Sequence, residues 1–220
     1  MILLPVAISR WQTGRSKDQV AVGARGPGRS SLRIFQFFYF GLLGFAYLLV
    51  EMPLIQRFIL FLDHPAYALS TVLFSLLLFS GLGSQLSPRL SLRWTLGALV
   101  VLLAAMPFAL PMIFDLALGL PFVFKMGLTV LLLAPVSFLM GIPFPAGLQR
   151  LLDRDESPAQ IPWIWAINGS MSVVSSVLAT LLALSLGFSW VFWTGALCYM
   201  GAWIVFILPA RLSVASPPHQ

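Results

Sequence analysis

Ile34-Phe-Gln-Phe-Phe-Tyr-Phe-Gly-Leu-Leu-Gly-Phe-Ala-Tyr-Leu-Leu-Val-Glu51-Met-Pro53-Leu-Ile-Gln56-Arg57-Phe-Ile-Leu-Phe-Leu62 is the stretch that decides the fold. No charge interrupts it between Arg33 and Glu51. A bilayer core about 30 Å thick is crossed by roughly 20 apolar residues of helix. This run is longer, about 43 Å at 1.5 Å per residue, and an interruption is expected near Pro53. Five further stretches meet the same test: Pro65–Leu86, Trp94–Phe114, Pro121–Leu148, Ile161–Leu186 and Trp190–Leu208. The fold expected is an all-α, polytopic bundle of six transmembrane helices. No ten-residue alternation of apolar and polar residues appears, which argues against a membrane β-barrel.

Composition agrees with that reading. Of 220 residues, 59% are hydrophobic and 9% charged, with a mean hydropathy of +0.94. A soluble domain is nearer 25% charged, and a chain of this length cannot bury so much apolar surface in its own core. The surplus must face lipid. The single cysteine, Cys198, excludes a disulfide scaffold and a cysteine-ligated metal site. No residue set points to a metal or a cofactor, and no catalytic residue is assigned.

The formal net charge of +6 is unevenly placed. Arg10, Arg15, Lys17, Arg25, Arg29 and Arg33 precede the first span, opposed only by Asp18. Residues 1–33 therefore read as a basic, disordered cytoplasmic tail, 34–208 as the membrane domain and 209–220 as a second tail. Arg89 and Arg93 follow the second span, Arg150 and Arg154 the fourth, and Arg211 the sixth. The opposite loops carry Asp63, His64 and Asp115. The positive-inside rule then puts both termini in the cytoplasm, in an inner (plasma) membrane. Arg57 and Lys125 depart from the pattern and can snorkel to an interface. Trp94, Trp163, Trp165 and Trp190 stand near span ends, as in an aromatic belt. No stacking surface or folded reader accompanies the basic tail, so a nucleic-acid partner is not expected, and the lipid bilayer is.

Polar residues inside spans are costly and mark candidate sites. Glu51, Gln56 and Arg57 form one group. In an unbroken helix Glu51 and Arg57 stand about 240° apart, which is poor for a direct pair; a break at Pro53 would change that. Glu51 is either a carboxylate lining a cavity or an acid hydrogen-bonded across helices. Asn168 opens a second group, in which small residues at 169, 172, 176, 179 and 183 share a helical face suited to close packing or to lining a site. Met140-Gly141-Ile-Pro143-Phe-Pro145-Ala-Gly147 is the strongest candidate for a broken helix, which exposes backbone carbonyls as transporters do at binding sites, or simply unwinds as the helix leaves the membrane. His64 and His219 are the only histidines, and Asn168-Gly-Ser170, though a glycosylation sequon, lies within a span. There is no phosphate-binding loop, zinc-protease helix or nucleophile elbow.

Several segments together resemble the C-terminal membrane region of bacterial spermidine-synthase-like integral membrane proteins. They are Gly41 to Met52, Gln56 to Pro65, Leu76 to Ser84, Met140 to Leu148 and Trp163 to Gly169. In that family a membrane region is fused to a soluble domain similar to aminopropyltransferases and methyltransferases. The soluble domain's glycine motif and acidic residues have no counterpart here, so the resemblance implies a non-catalytic module that anchors or serves such a domain. It also implies that the chain is the membrane part of a larger protein; the apolar Met1–Ile8 leader lacks the features of a signal peptide. A weaker similarity is to a six-helix half of the major facilitator superfamily, whose signature between its second and third helices is matched in place by Gly81 to Arg93, without the signature's aspartate. That similarity implies a half-transporter moving a small, cationic solute, completed by a second membrane half. An intramembrane enzyme is the least supported reading.

Overall fold

The computed structural model describes the backbone of residues 27–153 and 160–212 and the side chains of 34–153 and 160–207. Residues 1–26 of the expected basic tail, the Arg154–Glu156 part of the fourth loop and most of the C-terminal tail lie outside the described residues. The helices are α1 (Pro27–Leu62), α2 (Pro65–Leu86), α3 (Leu92–Ala117), α4 (Phe122–Met140), α5 (Pro143–Asp153), α6 (Ile161–Leu186) and α7 (Phe188–Leu212). A single 3-10 turn, Ser87–Arg89, follows α2. Among the described residues there is no strand. Six segments are long and apolar enough to cross a membrane, α4 and α5 together forming the fourth. The chain is thus a multi-pass helical membrane protein.

Two helices run past the expected spans. The first begins at Pro27, ahead of the span that starts at Ile34; proline at a helix start loses nothing, because that N–H has no intrahelical partner. The last helix continues to Leu212. The chain divides after Gln36 into two units, of which the first is described only over the opening of α1. The bundle below is the second unit, Phe37–Gln220.

Within the bundle α1 is the central helix. The most apolar part of its span is 61% buried, against 11% for α6. Phe40, Leu43, Ala46, Leu49, Val50, Leu54 and Phe58 are all buried. The expected interruption near Pro53 does not occur: the helix runs through it. Pro53 is itself buried between fully buried Leu49 and Leu54, and such enclosure holds a membrane helix straight despite a missing N–H. Pro107 in α3 is also buried, while the half-buried Pro111 of α3 and the exposed Pro135 of α4 lie within continuous helices as well.

Around α1 the other helices pair. The first pair is α2 with α4, and the second is α3 with α7, which also packs on α6. Close approach depends on glycine. A Cβ on Gly83 of α2 would collide with the Phe138 carbonyl, and one on Gly141 with the Ser80 carbonyl. Across the bundle, a Cβ on Gly44 of α1 would collide with the Asn168 carbonyl of α6. Small residues let membrane helices approach this closely, where van der Waals packing replaces the missing hydrophobic drive. Short connections reverse the chain between spans. One uses Asp63 at φ 55°, another Gly187 at φ 90°. Arg89, Arg93 and Arg150 therefore gather at one end, and Asp63, His64, Asp115 and Lys125 at the other. Trp94, Trp163, Trp165 and Trp190 are all exposed.

Candidate functional site: a cleft at the helix joint

The fourth span stops at Met140 and restarts at Pro143. The cause is local. Pro143 and Pro145 have no N–H, so neither can donate to the carbonyl one turn back, those of Leu139 and Gly141. The Leu139 carbonyl accepts instead from the Ile142 N–H, at 3.4 Å, and from that of Gly141. The restarted helix is pinned from α1, where the buried Tyr39 hydroxyl donates to the Pro143 carbonyl at 2.8 Å. Phe40 meets the Phe144 ring edge-on at 5.3 Å, and Trp165 of α6 lies 4.7 Å from it on the other side.

Beside this joint is a cleft of about 400 Å³. Its floor is Leu43, Gly44 and Tyr47 of α1, backed by Tyr199 of α7. One wall is Leu77, Ser80, Gly81 and Ser84 of α2; another is the joint from Met140 to Pro145; the third is Asn168 and Ser172 of α6. Ser80 Oγ donates to the Leu77 carbonyl at 3.3 Å. No acidic, basic or histidine side chain lines it. The cleft lies in the half of the bundle nearer Arg89, Arg93 and Arg150.

The α6 wall is held by polar contacts rather than apolar ones. Asn168 Nδ2 donates to the Phe40 carbonyl at 2.9 Å, Ser172 Oγ to the Gly44 carbonyl at 2.9 Å, and Ser175 Oγ to the Phe45 carbonyl. Three successive donors on α6 thus meet three carbonyls of α1. The packing face is set by Asn168, Ser172, Ser175 and Ala179. The small-residue face expected from 169, 172, 176, 179 and 183 is rotated from this one: Gly169 looks into open space. The polar side chains, not the smallest residues, choose the face, because in an apolar medium a carbonyl in reach is their best partner.

The remaining sequence candidates are not brought together. Glu51 is half-buried one turn beyond Tyr47 and does not line the cleft. Gln56 is exposed. Arg57 Nη2 donates to Ser189 Oγ at 3.3 Å beyond the α6–α7 turn, with its guanidinium 5.8 Å from the Phe188 ring. Glu51 and Arg57 form no ion pair among the described residues, in keeping with an unbroken helix that sets them on different faces. Of the candidates, Asn168, Gly141, Pro143 and Pro145 share the cleft; Gly147 lies beneath it, against Tyr39 and Phe40. Tyr47, Ser80, Ser84 and Tyr199 were not singled out from the sequence. A hydroxyl at comparable depth in several apolar spans was the available signal. Among the described residues no group of three metal-ligating side chains occurs. The chain matches no family model, no curated protein and no solved structure.

Proposed function

We propose that the chain is a non-catalytic membrane module of an inner (plasma) membrane, with both termini cytoplasmic, that anchors and serves a soluble transferase domain of the aminopropyltransferase/methyltransferase type. The observation that carries this reading is the position of the cleft. It sits in the half of the bundle that ends in Arg89, Arg93 and Arg150, the end that the positive-inside rule assigns to the cytoplasm. A ligand held there is within reach of a domain docked on that end, and the resemblance of the apolar segments to spermidine-synthase-like membrane regions supplies the kind of domain. A photoreactive residue in place of Arg93 tests it, in the full chain in its native membrane. The expected adduct carries a soluble transferase-type domain, on the same or a second polypeptide. Adducts containing only lipid or a second six-span chain overturn the reading.

The second reading is a half-transporter that moves a small solute. It is favoured by one observation: α2 and α6 flank the cleft, and Leu77, Phe74, Val173 and Val177 are exposed along them, so a second membrane half could close it. On this reading Glu51, one turn beyond the cleft floor, is the residue a cationic solute would pass. Loss of uptake on Glu51→Gln, with a second six-span chain co-purifying, would support it.

A further inference from the structure

The lining of the cleft has a definite chemistry. Its polar groups are the hydroxyls of Tyr47, Ser80, Ser84 and Ser172 and the amide of Asn168. The joint adds the Gly141 carbonyl, which Pro145 leaves without the usual donor one turn on. Asn168 spends its Nδ2 on Phe40, and its Oδ1 makes no hydrogen bond among the described residues. Ser80 and Ser172 already donate to the Leu77 and Gly44 carbonyls, so the site is rich in acceptors, with the hydroxyls of Tyr47 and Ser84 left to give as well as take. It contains no charge of either sign. A charged ligand seated here would be removed from water without a counter-ion, a heavy cost in an apolar setting. An uncharged ligand with hydroxyl groups satisfies the same atoms without that cost.

The opening has a definite character too. Leu77 is 70% exposed at the rim, and the next turn is Gly81, whose missing side chain faces open space. Leu77 lies nine residues before the end of α2, about 14 Å into the span. Beyond the rim, α2 exposes Phe74 and Leu78, and α6 exposes Val173 and Val177. The way in thus crosses surface that is apolar on both sides. A volume of about 400 Å³ falls within the roughly 300–1,000 Å³ of small-molecule sites, and suits a head group with the start of a chain.

We propose that the cleft between α1, α2, the α4–α5 joint and α6 binds the uncharged, hydroxyl-bearing head of a lipid whose apolar chain lies between α2 and α6. This deepens the reading of the cleft as the working site, and does not depend on the identity of the soluble partner. A free polyol would offer the same head chemistry, so the test separates the two sources.

The purified full chain is incubated in detergent with dioleoylglycerol, with dioleoylphosphatidic acid, or with glycerol, and bound ligand is counted by native mass spectrometry. Dioleoylglycerol is expected to be retained at least tenfold more than either of the others. Gly81→Leu fills the cleft where a Cβ meets nothing, and is expected to lower that retention at least tenfold. Gly169→Leu, at an equally open position outside the lining, is expected to bind as the native chain does. Leu77→Trp narrows the rim from an exposed position and gives the same reading if Gly81→Leu does not fold. Equal retention by a folded cleft variant and the native chain overturns the site, because annular lipid would then account for the binding. Preference for phosphatidic acid overturns the uncharged head, and glycerol bound as well as dioleoylglycerol overturns the lipid. Failure of the Arg93 adduct to contain a transferase domain leaves these outcomes unmoved, so the two proposals fall separately.

Discussion

Tyr39 on the central helix donates a 2.8 Å hydrogen bond to the carbonyl of Pro143, 104 residues along the chain. That bond ties α1 to the helix that restarts after the joint, and so fixes one wall of the cleft. Tyr39 is 5% exposed, and its removal leaves the carbonyl without its side-chain donor in a place that water does not reach. Tyr39→Phe keeps the ring packing against Phe40 and deletes only the donor. It is expected to destabilise the bundle by about 0.5–1.5 kcal/mol, the net worth of one hydrogen bond, read as unfolding in mixed micelles of increasing denaturing detergent.

Gly44 and Gly169 make opposite predictions for the same change. Gly44→Ala drives a Cβ into the Asn168 carbonyl and amide, so α1 and α6 must separate and stability is expected to fall. Gly169→Ala meets nothing within 4 Å, and alanine is the better helix former, by about 1 kcal/mol in a helix interior. It is expected to be neutral or stabilising. The same unfolding measurement on both variants checks the closeness of this seam.

The polar seam itself can be apportioned. Ser172→Ala and Asn168→Leu each remove one side-chain donor to a carbonyl of α1. Hydrogen bonds between membrane helices average about 0.6 kcal/mol, with a ceiling near 1.7, and each variant is expected to lose stability in that range. A double variant losing more than the sum would show that the donors act as a unit.

Glu51 and Arg57 are expected to be independent. A double-mutant cycle of Glu51→Gln and Arg57→Met in stability should give a coupling within about 0.5 kcal/mol of zero, as for residues that share no partner. A larger favourable coupling would mean that the two side chains meet, against the continuous helix through Pro53.

Much of this bundle was legible in the sequence. Six apolar runs and the absence of strand periodicity carried the fold, because a membrane helix must satisfy its own backbone and so declares itself by length and hydropathy. Pro143 and Pro145 mark the joint because each removes a donor. Pro53 shows where such reasoning stops. Its N–H is missing in the same way, yet the helix runs through it, as α4 runs through the exposed Pro135; a lone proline frees one carbonyl, whereas Pro143 and Pro145 free two within a single turn. The cleft was illegible for a different reason. Tyr47, Ser80 and Asn168 sit on three helices, and only the Gly83 and Gly44 contacts, which draw α2 to α4 and α1 to α6, set them around one space. Nor does periodicity separate Asn168 from Gly169 as the residue facing α1; the reach of a side-chain donor to the Phe40 carbonyl does.

A soluble domain docked at the cleft requires the arginine end of the bundle to face the cytoplasm. Cysteine labelling in intact cells measures this directly. In a Cys198→Ser background, single cysteines replace Arg93, at the arginine end, and Gly119, in the turn at the opposite end. A membrane-impermeant maleimide is expected to label the Gly119→Cys chain in intact spheroplasts and the Arg93→Cys chain only after the membrane is opened. Labelling of Arg93→Cys from outside, with Gly119→Cys protected, would invert the bundle, place the cleft away from any cytoplasmic domain and contradict the account.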